Sequence, residues 1–194
     1  MSKNPNYTGG ERFNKLSKKD GYRSRAAYKL KQINKLQNLI KQNQNILDIG
    51  CAPGSWIQVI KEITKGKANI TGVDILPMEK IEGIIFLQKD LLEIKDTDLK
   101  DHFHLVLSDI APNITGIEDV DQAHFFEIFE SISSICSDFL NKKGILVMKF
   151  FNGSSYDLVK KRLKMLFNEV NTYKPDSSRS RSNEVFFVCI GYKD

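Results

Sequence analysis

The chain has 194 residues, 41% of them hydrophobic and 27% charged, which suits one folded domain and excludes a disordered or fibrous protein. Its longest apolar runs, such as residues 144–148 and 185–190, are too short to cross a bilayer, so we predict a soluble protein with no membrane partner. The net charge of +5 is unevenly placed: residues 1–45 contain eleven Lys/Arg and two acids, net +9, whereas the remainder has 18 basic and 22 acidic residues, net −4.

The N-terminal segment carries the excess of positive charge. Its first 20 residues show no periodicity, so we predict a flexible basic arm over residues 1–20, followed by a single domain over residues 21–194. A basic arm on a mildly acidic body is typical of a protein that binds a polyanion such as RNA. A solvated leader that only keeps the protein soluble fits the charge equally well.

A helix is predicted directly after this arm. Apolar residues from Ala26 to Ile40 recur at helical spacing, and Ser24 is a suitable N-cap residue. The predicted helix therefore runs from about residue 24 to residue 40, and it carries Lys29.

Beyond this helix, short β-rich runs alternate with helical stretches. The predicted strands lie at residues 45–49, 69–74, 83–88, 104–109, 144–151, 169–174 and 184–191, and the predicted helices at about 55–64, 119–140 and 155–167. This alternation favours an α/β fold whose mostly parallel sheet is covered by helices on both faces. The last two strands have no helix between them, so we predict an antiparallel pair at one edge of the sheet.

The first predicted strand leads into a glycine-containing turn, residues 48–56, with the sequence DIGCAPGSW. Gly50 and Gly54 allow a tight turn and a close approach of the backbone to a ligand, but the G-x-G-x-x-G spacing of nicotinamide enzymes is absent. Asp74 and Asp90 end the next two strands, where carboxylates can accept hydrogen bonds from ribose hydroxyls and an adenine amino group. This pattern favours S-adenosylmethionine, a nucleoside ligand without pyrophosphate. The alternative is that both acids are simple loop caps.

Charged residues also lie at the ends of later strands. Asp109 closes HLVLSD, Lys149 lies near the end of GILVMKFF, and Glu184 begins EVFFVCI. If the first two strands are neighbours and the last is antiparallel to them, the three side chains reach one edge of the sheet. Lys29 joins them if its helix packs across that edge. Taken singly, a strand-end lysine more often extends its ammonium group into solvent.

Several segments together resemble the FtsJ-type RNA 2′-O-ribose methyltransferases, in order and without large gaps over residues 21–192. These segments are GYRSRAAYKL (21–30), LDIGCAPGSW (47–56), DILPM (74–78), FLQKD (86–90), LVLSDIAPNITG (105–116), VMKFF (147–151) and KPDSSRSRSNEVFFV (174–188). The resemblance implies a Rossmann-like, S-adenosylmethionine-dependent methyltransferase fold with a seven-stranded, mostly parallel sheet and an antiparallel strand at its edge.

The resemblance also implies which residues form the site. The family's catalytic Lys-Asp-Lys-Glu group is matched by Lys29, Asp109, Lys149 and Glu184. The family's cofactor positions are matched by Gly54, Trp56, Asp74, Asp90 and Asp109. Asp48, Gly50 and Pro53 of the glycine turn complete the predicted cofactor-binding residues. From their positive charge rather than from the resemblance, we expect RNA contacts from the basic arm and from Arg23, Arg25, Lys174, Arg179 and Arg181.

The reaction implied is a direct attack of a ribose 2′-oxygen on the methyl group of S-adenosylmethionine, which leaves S-adenosylhomocysteine. We assign Lys149 as the general base and Asp109 as the residue that orients it, while Lys29 and Glu184 position the ribose. In the alternative, Lys149 stays protonated and stabilises the developing oxyanion. No metal is expected, because His102, His104 and His124 lack the spacing of a metal site.

The predicted partner is ribosomal RNA or the large ribosomal subunit, with a uridine as the expected target, because DILPM, SDIAPN and SSRSRSNE look closest to the ribosomal branch of the family. A tRNA anticodon-loop or messenger RNA cap methyltransferase, and a non-catalytic RNA-binding assembly factor, are the alternatives. Three widely spaced cysteines indicate a reducing intracellular compartment. Members of the family work in the bacterial cytoplasm, mitochondria and the nucleolus. The sequence contains no marker of oligomerisation, so a monomer is expected.

Overall fold

A computed structural model describes residues 9–95, 97–178 and 182–193. The helices are α1 (Gly9–Lys19), α2 (Ala26–Gln37), α3 (Ser55–Thr64), α4 (Glu118–Phe139) and α5 (Tyr156–Leu166), with a 3₁₀ turn at Leu91–Glu93. The strands are β1 (Asn45–Ile49), β2 (Asn69–Asp74), β3 (Ile85–Gln88), β4 (Phe103–Ser108), β5 (Leu140–Phe151), β6 (Phe167–Tyr173) and β7 (Glu184–Tyr192). Over these ranges, no helix has both the length and the apolar character needed to cross a membrane.

The strands form one seven-stranded sheet in the order β3-β2-β1-β4-β5-β7-β6. Strands β1 to β5 pair in parallel, and β7 runs antiparallel to both β5 and β6. The predicted fold class and the antiparallel pair at one edge are confirmed, with β6 at the edge and β7 inside it. The chain turns to opposite sides of β1 to form β2 and β4, so the carboxyl ends of β1 and β4 flank the crevice where such sheets bind ligands.

Apolar side chains cover both faces of the sheet. Met148 and Phe150 of β5 belong to the core beneath α4 and α5, whereas Val147 belongs to the core beneath α2 and α3. Because successive strand residues point to opposite faces, Lys149 lies on the same face as Val147. The β5 strand therefore directs its lysine towards α2.

The α2 helix is shorter at its C-terminal end than predicted. It ends at Gln37 because Asn38 adopts a left-handed conformation, with φ of 48°, and donates its backbone N–H to the Asn34 carbonyl. Leu39 and Ile40 are nevertheless buried, in the chain that leads into β1. These two residues fit the helical spacing in the sequence because they are buried, not because the helix continues through them.

The flexible basic arm predicted for residues 1–20 contains a helix that the sequence did not predict. Residues Gly9–Lys19 form α1, whose Phe13 ring packs on Tyr28 of α2 with centroids 5.2 Å apart. Glu11 in its first turn and basic residues in its last turn complement the helix dipole. Such a short helix with few apolar residues gives little periodic signal, and its contact with α2 stabilises it. Residues 1–8 of the predicted arm lie outside the described residues.

Candidate active site

Four charged side chains meet where α2 crosses the carboxyl edge of the sheet. The Lys29 Nζ lies 2.9 Å from Glu184 Oε2 and 3.4 Å from Asp109 Oδ1. The Lys149 Nζ lies 3.0 Å from the same oxygen of Asp109 and also donates to the Asp109 backbone carbonyl. The structure thus brings together the four residues of the predicted Lys-Asp-Lys-Glu group, here called the tetrad. Their part in the chemistry stays a prediction.

The topology of the sheet accounts for this meeting. Ser108 pairs with Met148 in the register of β4 and β5, so the next residues, Asp109 and Lys149, lie side by side at the edge. Glu184 opens the antiparallel β7, whose beginning lies beside the end of β5. The α2 helix then adds its lysine from above the sheet.

The tetrad is largely withdrawn from water. The exposed fractions of the side chains are 8% for Lys149, 9% for Lys29, 11% for Glu184 and 15% for Asp109. The charges of the two lysines and the two acids balance. Removing one partner of a buried ion pair lowers the free energy of unfolding by about 3–5 kcal/mol, because a buried charge is left unpaired. Apolar side chains of similar volume often stabilise a fold as well as buried ions do, so this group points to chemistry rather than to stability.

A pocket of about 540 Å³ opens beside the tetrad, at the carboxyl ends of β1, β2 and β4. We call it the glycine-turn pocket. Its lining includes four predicted cofactor-binding residues, Gly50, Asp74, Asp90 and Asp109. Asp109 therefore belongs both to this pocket and to the tetrad. A cleft of this size suits a small-molecule ligand.

The turn between β1 and α3 requires glycine where its backbone is left-handed. Gly54 has a φ of +102°, and a Cβ atom there would lie 2.9 Å from the Met78 sulfur and 3.1 Å from Arg23 Nη1. Gly50 has a φ of +76°. Both glycines thus serve the tight turn that the sequence predicts.

The acids at the end of β2 and just after β3, Asp74 and Asp90, do cap loops, as the alternative interpretation held. Asp74 accepts hydrogen bonds from the backbone N–H groups of Ala52 and Leu76, each at 2.8 Å, and Asp90 accepts from the Leu92 N–H at 3.0 Å. Ionised carboxylates have about four acceptor positions. Because Asp74 and Asp90 also line the glycine-turn pocket, each can cap its loop and still accept a hydrogen bond from a ligand.

Asp48 is a buried acid with an unsatisfied oxygen. Its exposed fraction is 1%, and its Oδ2 has no hydrogen-bond partner among the described residues. Burial raises the pKa of Asp48 well above its ordinary value, and the nearby negative charges of Asp109 and Asp74 raise it further. Buried polar atoms are rarely left unpaired. A ligand that brings a hydrogen-bond donor, such as the amino group of S-adenosylmethionine, fits this arrangement.

Four predicted cofactor-binding residues lie outside the lining of the glycine-turn pocket: Asp48 and Gly54, described above, and Trp56 and Pro53. The Trp56 indole is buried, and its Nε1 donates to the Ala26 carbonyl at 2.8 Å, which fixes α3 against α2. Pro53 is exposed, and its carbonyl accepts a hydrogen bond from Arg23. Contact of these two residues with a cofactor stays a prediction. For Trp56 it would use the backbone, because the side chain is committed to α2.

A second pocket, of about 470 Å³, lies on the other side of Lys29 between α1 and α2. We call it the cationic pocket, because its charged lining residues are Lys18, Arg23, Arg25 and Lys29. The sequence places Lys18 in the basic arm but does not single it out, since α1 was not expected to be a helix. The i, i+3 spacing of Phe13 and Leu16 was the available signal.

Arg23 is engaged by backbone carbonyl groups. Its Nη1 donates to the carbonyls of Pro53 and Glu79, each at 2.8 Å, and its Nη2 donates to the Lys80 carbonyl at 3.4 Å. Arg23 therefore connects the segment before α2 to the glycine turn and to the loop after β2. Its hydrogen bonds hold the glycine turn against the loop after β2. Contact of Arg23 with RNA stays a prediction.

The remaining predicted RNA contacts precede β7. The Lys174 Nζ donates to the Ser182 carbonyl at 2.8 Å, which closes the base of the loop between β6 and β7. Arg179 and Arg181 lie outside the described residues.

The histidines were weighed as metal ligands in the sequence, and His104 makes a hydrogen bond to the backbone instead. The His104 Nδ1 accepts a hydrogen bond from the Asn45 backbone N–H at 3.0 Å, at the opposite edge of the sheet from the tetrad. In residues 9–95, 97–178 and 182–193, no group of three or more His, Cys, Asp or Glu side chains is placed to hold a metal ion.

Comparison with known proteins places the chain in a family, because the model of the FtsJ-like methyltransferases matches residues 22–192. The chain belongs to this family. The ribosomal RNA large subunit methyltransferase E of Nitrosospira multiformis, a curated relative, is 40% identical over 189 residues, which cover 94% of this chain and 91% of the relative. Membership in the FtsJ-like family confirms the resemblance found in the sequence and makes the protein a methyltransferase.

Solved structures agree with this FtsJ-like assignment. A crystal structure of a ribosomal RNA methyltransferase from Plasmodium falciparum is 34% identical, with a TM-score of 0.79, and the match covers 88% of this chain and 98% of that one. Human methyltransferase-like protein 13, in complex with SAH, is 14% identical with a TM-score of 0.55, covering 76% and 71% of the two chains. The human protein is similar in fold alone.

Proposed function

We propose that this FtsJ-like protein uses S-adenosylmethionine to methylate a ribose 2′-oxygen in ribosomal RNA of the large subunit. The observation that carries this proposal is the position of the tetrad between two pockets. Asp109 lines the glycine-turn pocket, and Lys29 lines the cationic pocket. A reaction between a bound small molecule and a polyanion would have its reacting atoms at this boundary.

The glycine-turn pocket is the proposed cofactor site. S-adenosylmethionine bound there would supply a methyl group activated by a sulfonium and would leave as S-adenosylhomocysteine. Gly50 permits close approach of the backbone, Asp74 accepts from the ribose hydroxyls, and Asp90 accepts from the adenine amino group. Asp48 is buried next to the pocket-lining residues Ile49 and Gly50, and a donor group of the cofactor would satisfy its unpaired oxygen.

The cationic pocket is the proposed entrance for RNA. Its charged lining residues are all positive, which suits the phosphates on either side of the target nucleotide. Lys18 and Arg25 would contact phosphates, and this would bring the neighbouring ribose to Lys29. The names of the bacterial relative and of the Plasmodium structure support ribosomal RNA as the substrate.

The tetrad residues divide the chemical work. As the general base, Lys149 would first lose a proton to solvent, and its neutral Nζ would then take the hydroxyl proton as the 2′-oxygen bonds to the methyl carbon. S-adenosylmethionine would supply that methyl group and would leave as S-adenosylhomocysteine, with its sulfur neutral. Two oxygens of Asp109 fix the direction of the Lys149 nitrogen. Lys29, held by Glu184 and Asp109, positions the ribose. If Lys149 is the base, the rate of the chemical step rises with pH, whereas a protonated Lys149 that stabilises the oxyanion gives no such rise.

A reducing intracellular compartment is part of the proposal. Cys51, Cys136 and Cys189 are buried and free, and burial raises the pKa of the Cys136 thiol to about 12, so it stays protonated. Buried free thiols are compatible with the reducing intracellular compartment that the sequence indicates.

Transfer of labelled methyl groups from S-adenosylmethionine tests the proposal. The acceptors are deproteinised ribosomal RNA, large-subunit particles and tRNA, and nuclease digestion of the product identifies the modified nucleotide. We expect label in a 2′-O-methylnucleotide of ribosomal RNA, with the two ribosomal samples revealing which form is the substrate. Label in tRNA alone would replace the ribosomal assignment, and no transfer to any RNA despite cofactor binding would leave a non-catalytic assembly factor.

The two arginines of the cationic pocket should differ in their effects. We expect Arg23→Ala to weaken S-adenosylhomocysteine binding about three- to tenfold, because three hydrogen bonds to backbone carbonyls around the glycine turn are lost. Arg25→Ala is the matched variant: it should leave that affinity unchanged and lower the salt dependence of RNA binding by about one phosphate contact. Calorimetry and salt titrations of RNA binding measure both. Equal effects of the two variants on cofactor affinity would contradict the task assigned to Arg23.

A further inference from the structure

Ser178 touches the tetrad although it was not among the predicted site residues. Its hydroxyl donates to Glu184 Oε1 at 2.6 Å, and the other oxygen of that carboxylate accepts from Lys29 at 2.9 Å. Ser178 is buried, with an exposed fraction of 6%. Hydrogen bonds from a hydroxyl to a carboxylate at such distances are among the strong ones in proteins.

The turn that carries Ser178 is attached to the same helix as Lys29. The backbone N–H and the hydroxyl of Ser177 both donate to Gln32 Oε1, at 3.3 Å and 3.1 Å. Gln32 lies three residues after Lys29 on α2, so the two side chains share a helix face. The Ser178 N–H closes the turn by donating to the Pro175 carbonyl at 3.0 Å. The turn therefore rests on α2 and faces Glu184 from a fixed position.

We infer that Ser178 is a positioning residue for methyl transfer, because its hydroxyl holds the Glu184 carboxylate in the orientation that fixes the Lys29 ammonium group. This inference rests on the proposed function and adds a residue to its machinery. Glu184 is the nearer of the two carboxylates around Lys29, at 2.9 Å against 3.4 Å for Asp109. The orientation of Glu184 therefore decides where Lys29 directs its remaining hydrogen-bond donor.

Loss of the Ser178 hydroxyl would free one side of this carboxylate. The Glu184 side chain could then rotate about its terminal bond, and Lys29 would follow its nearer partner away from the ribose. Displacements of about 1 Å in a positioning group can lower a reaction rate about 100-fold. Binding of the cofactor should not change, since Ser178 and Glu184 lie outside the lining of the glycine-turn pocket.

The test compares Ser178→Ala with Ser177→Ala in the full chain. We expect Ser178→Ala to lower kcat for methyl transfer about tenfold, because a hydrogen bond to a charged group is lost, with unchanged affinity for S-adenosylhomocysteine. Ser177→Ala removes a neighbouring, equally buried hydroxyl that binds Gln32 instead of Glu184, and it should keep kcat within about twofold. Ser178→Cys has a similar shape and a weaker hydrogen-bond donor, so its kcat should lie between those of wild type and Ser178→Ala. It replaces the alanine variant in the test if that variant does not fold.

A double-mutant cycle separates positioning from a general structural effect. In the Glu184→Ala background, Ser178→Ala should lower the remaining rate by less than about twofold, because the oxygen that accepts from the Ser178 hydroxyl is already gone. Full activity of Ser178→Ala, or an equal loss in both backgrounds, would overturn the inference. If the wild-type protein transfers methyl groups to no RNA, the proposed function itself fails, and the two failures are thereby distinguished.

Discussion

Replacing Lys149 by alanine is expected to lower the rate of methyl transfer about 10²–10⁴-fold, the usual contribution of a positioned general base. The reason lies in the two contacts of its Nζ with Asp109, which point the nitrogen at the boundary of the two pockets. RNA binding should stay within a few-fold, since Lys149 lies outside the lining of the cationic pocket. Single-turnover transfer of labelled methyl groups and a separate RNA-binding titration measure the two effects.

A second substitution at the same position decides between the two roles of Lys149. Arginine keeps the positive charge but does not lose its proton in proteins, so Lys149→Arg should be as inactive as the alanine variant if Lys149 is the base. Substantial activity of Lys149→Arg would favour the oxyanion-stabilising role instead. Lys35→Ala, at an exposed lysine of α2, is the control and should behave as wild type. An active Lys149→Ala protein would remove Lys149 from the mechanism.

Gly54→Ala is expected to weaken cofactor binding about tenfold or more, because backbone strain of about 1–3 kcal/mol would be relieved by movement of the glycine turn. Its φ of +102° is unfavourable for alanine, and the new methyl group would lie 2.7 Å from Ile81 Cδ1 and 2.9 Å from the Met78 sulfur. The turn would have to shift, and Gly50 and Ala52 of the same turn line the glycine-turn pocket, so the shape of the pocket would change. Calorimetry with S-adenosylhomocysteine measures the loss.

Gly66→Ala provides the matched control for this strain. Gly66 also has a left-handed backbone, with φ of +70°, but a Cβ atom there would meet nothing within 4 Å. This variant should lose about 1–2 kcal/mol of stability from the left-handed conformation alone and keep its affinity for the cofactor. If both variants bind S-adenosylhomocysteine equally well, Gly54 is not needed for the shape of the turn.

Much of this site could be predicted because parallel strands end at one edge of the sheet. Asp109 follows one apolar run and Lys149 lies near the end of another, and the strand character of both runs is clear from the sequence. The absence of a helix before β7 indicated that Glu184 lies at the same edge. The position of Lys29 needed the family resemblance, since nothing in the spacing of a helix shows which edge of a sheet it crosses.

Other features depend on contacts that the sequence does not show. Arg23 has the appearance of an RNA-binding arginine, but the carbonyl groups that engage it belong to Pro53, Glu79 and Lys80, in loops far from it along the chain. Ser177 and Ser178 are indistinguishable in the sequence, although only Ser178 contacts Glu184. Backbone acceptors and side-chain rotamers, rather than residue types, decide such roles.

The ion pair between Lys29 and Glu184 joins residues 155 positions apart along the chain. Contacts of such sequence separation form only after the intervening chain is ordered, because closing a long loop costs conformational entropy. The tetrad is therefore completed by the first and last parts of the domain together. A molecule in which α2 or β7 has locally unfolded keeps most of its sheet but has no assembled site, so activity reports on the integrity of the whole domain.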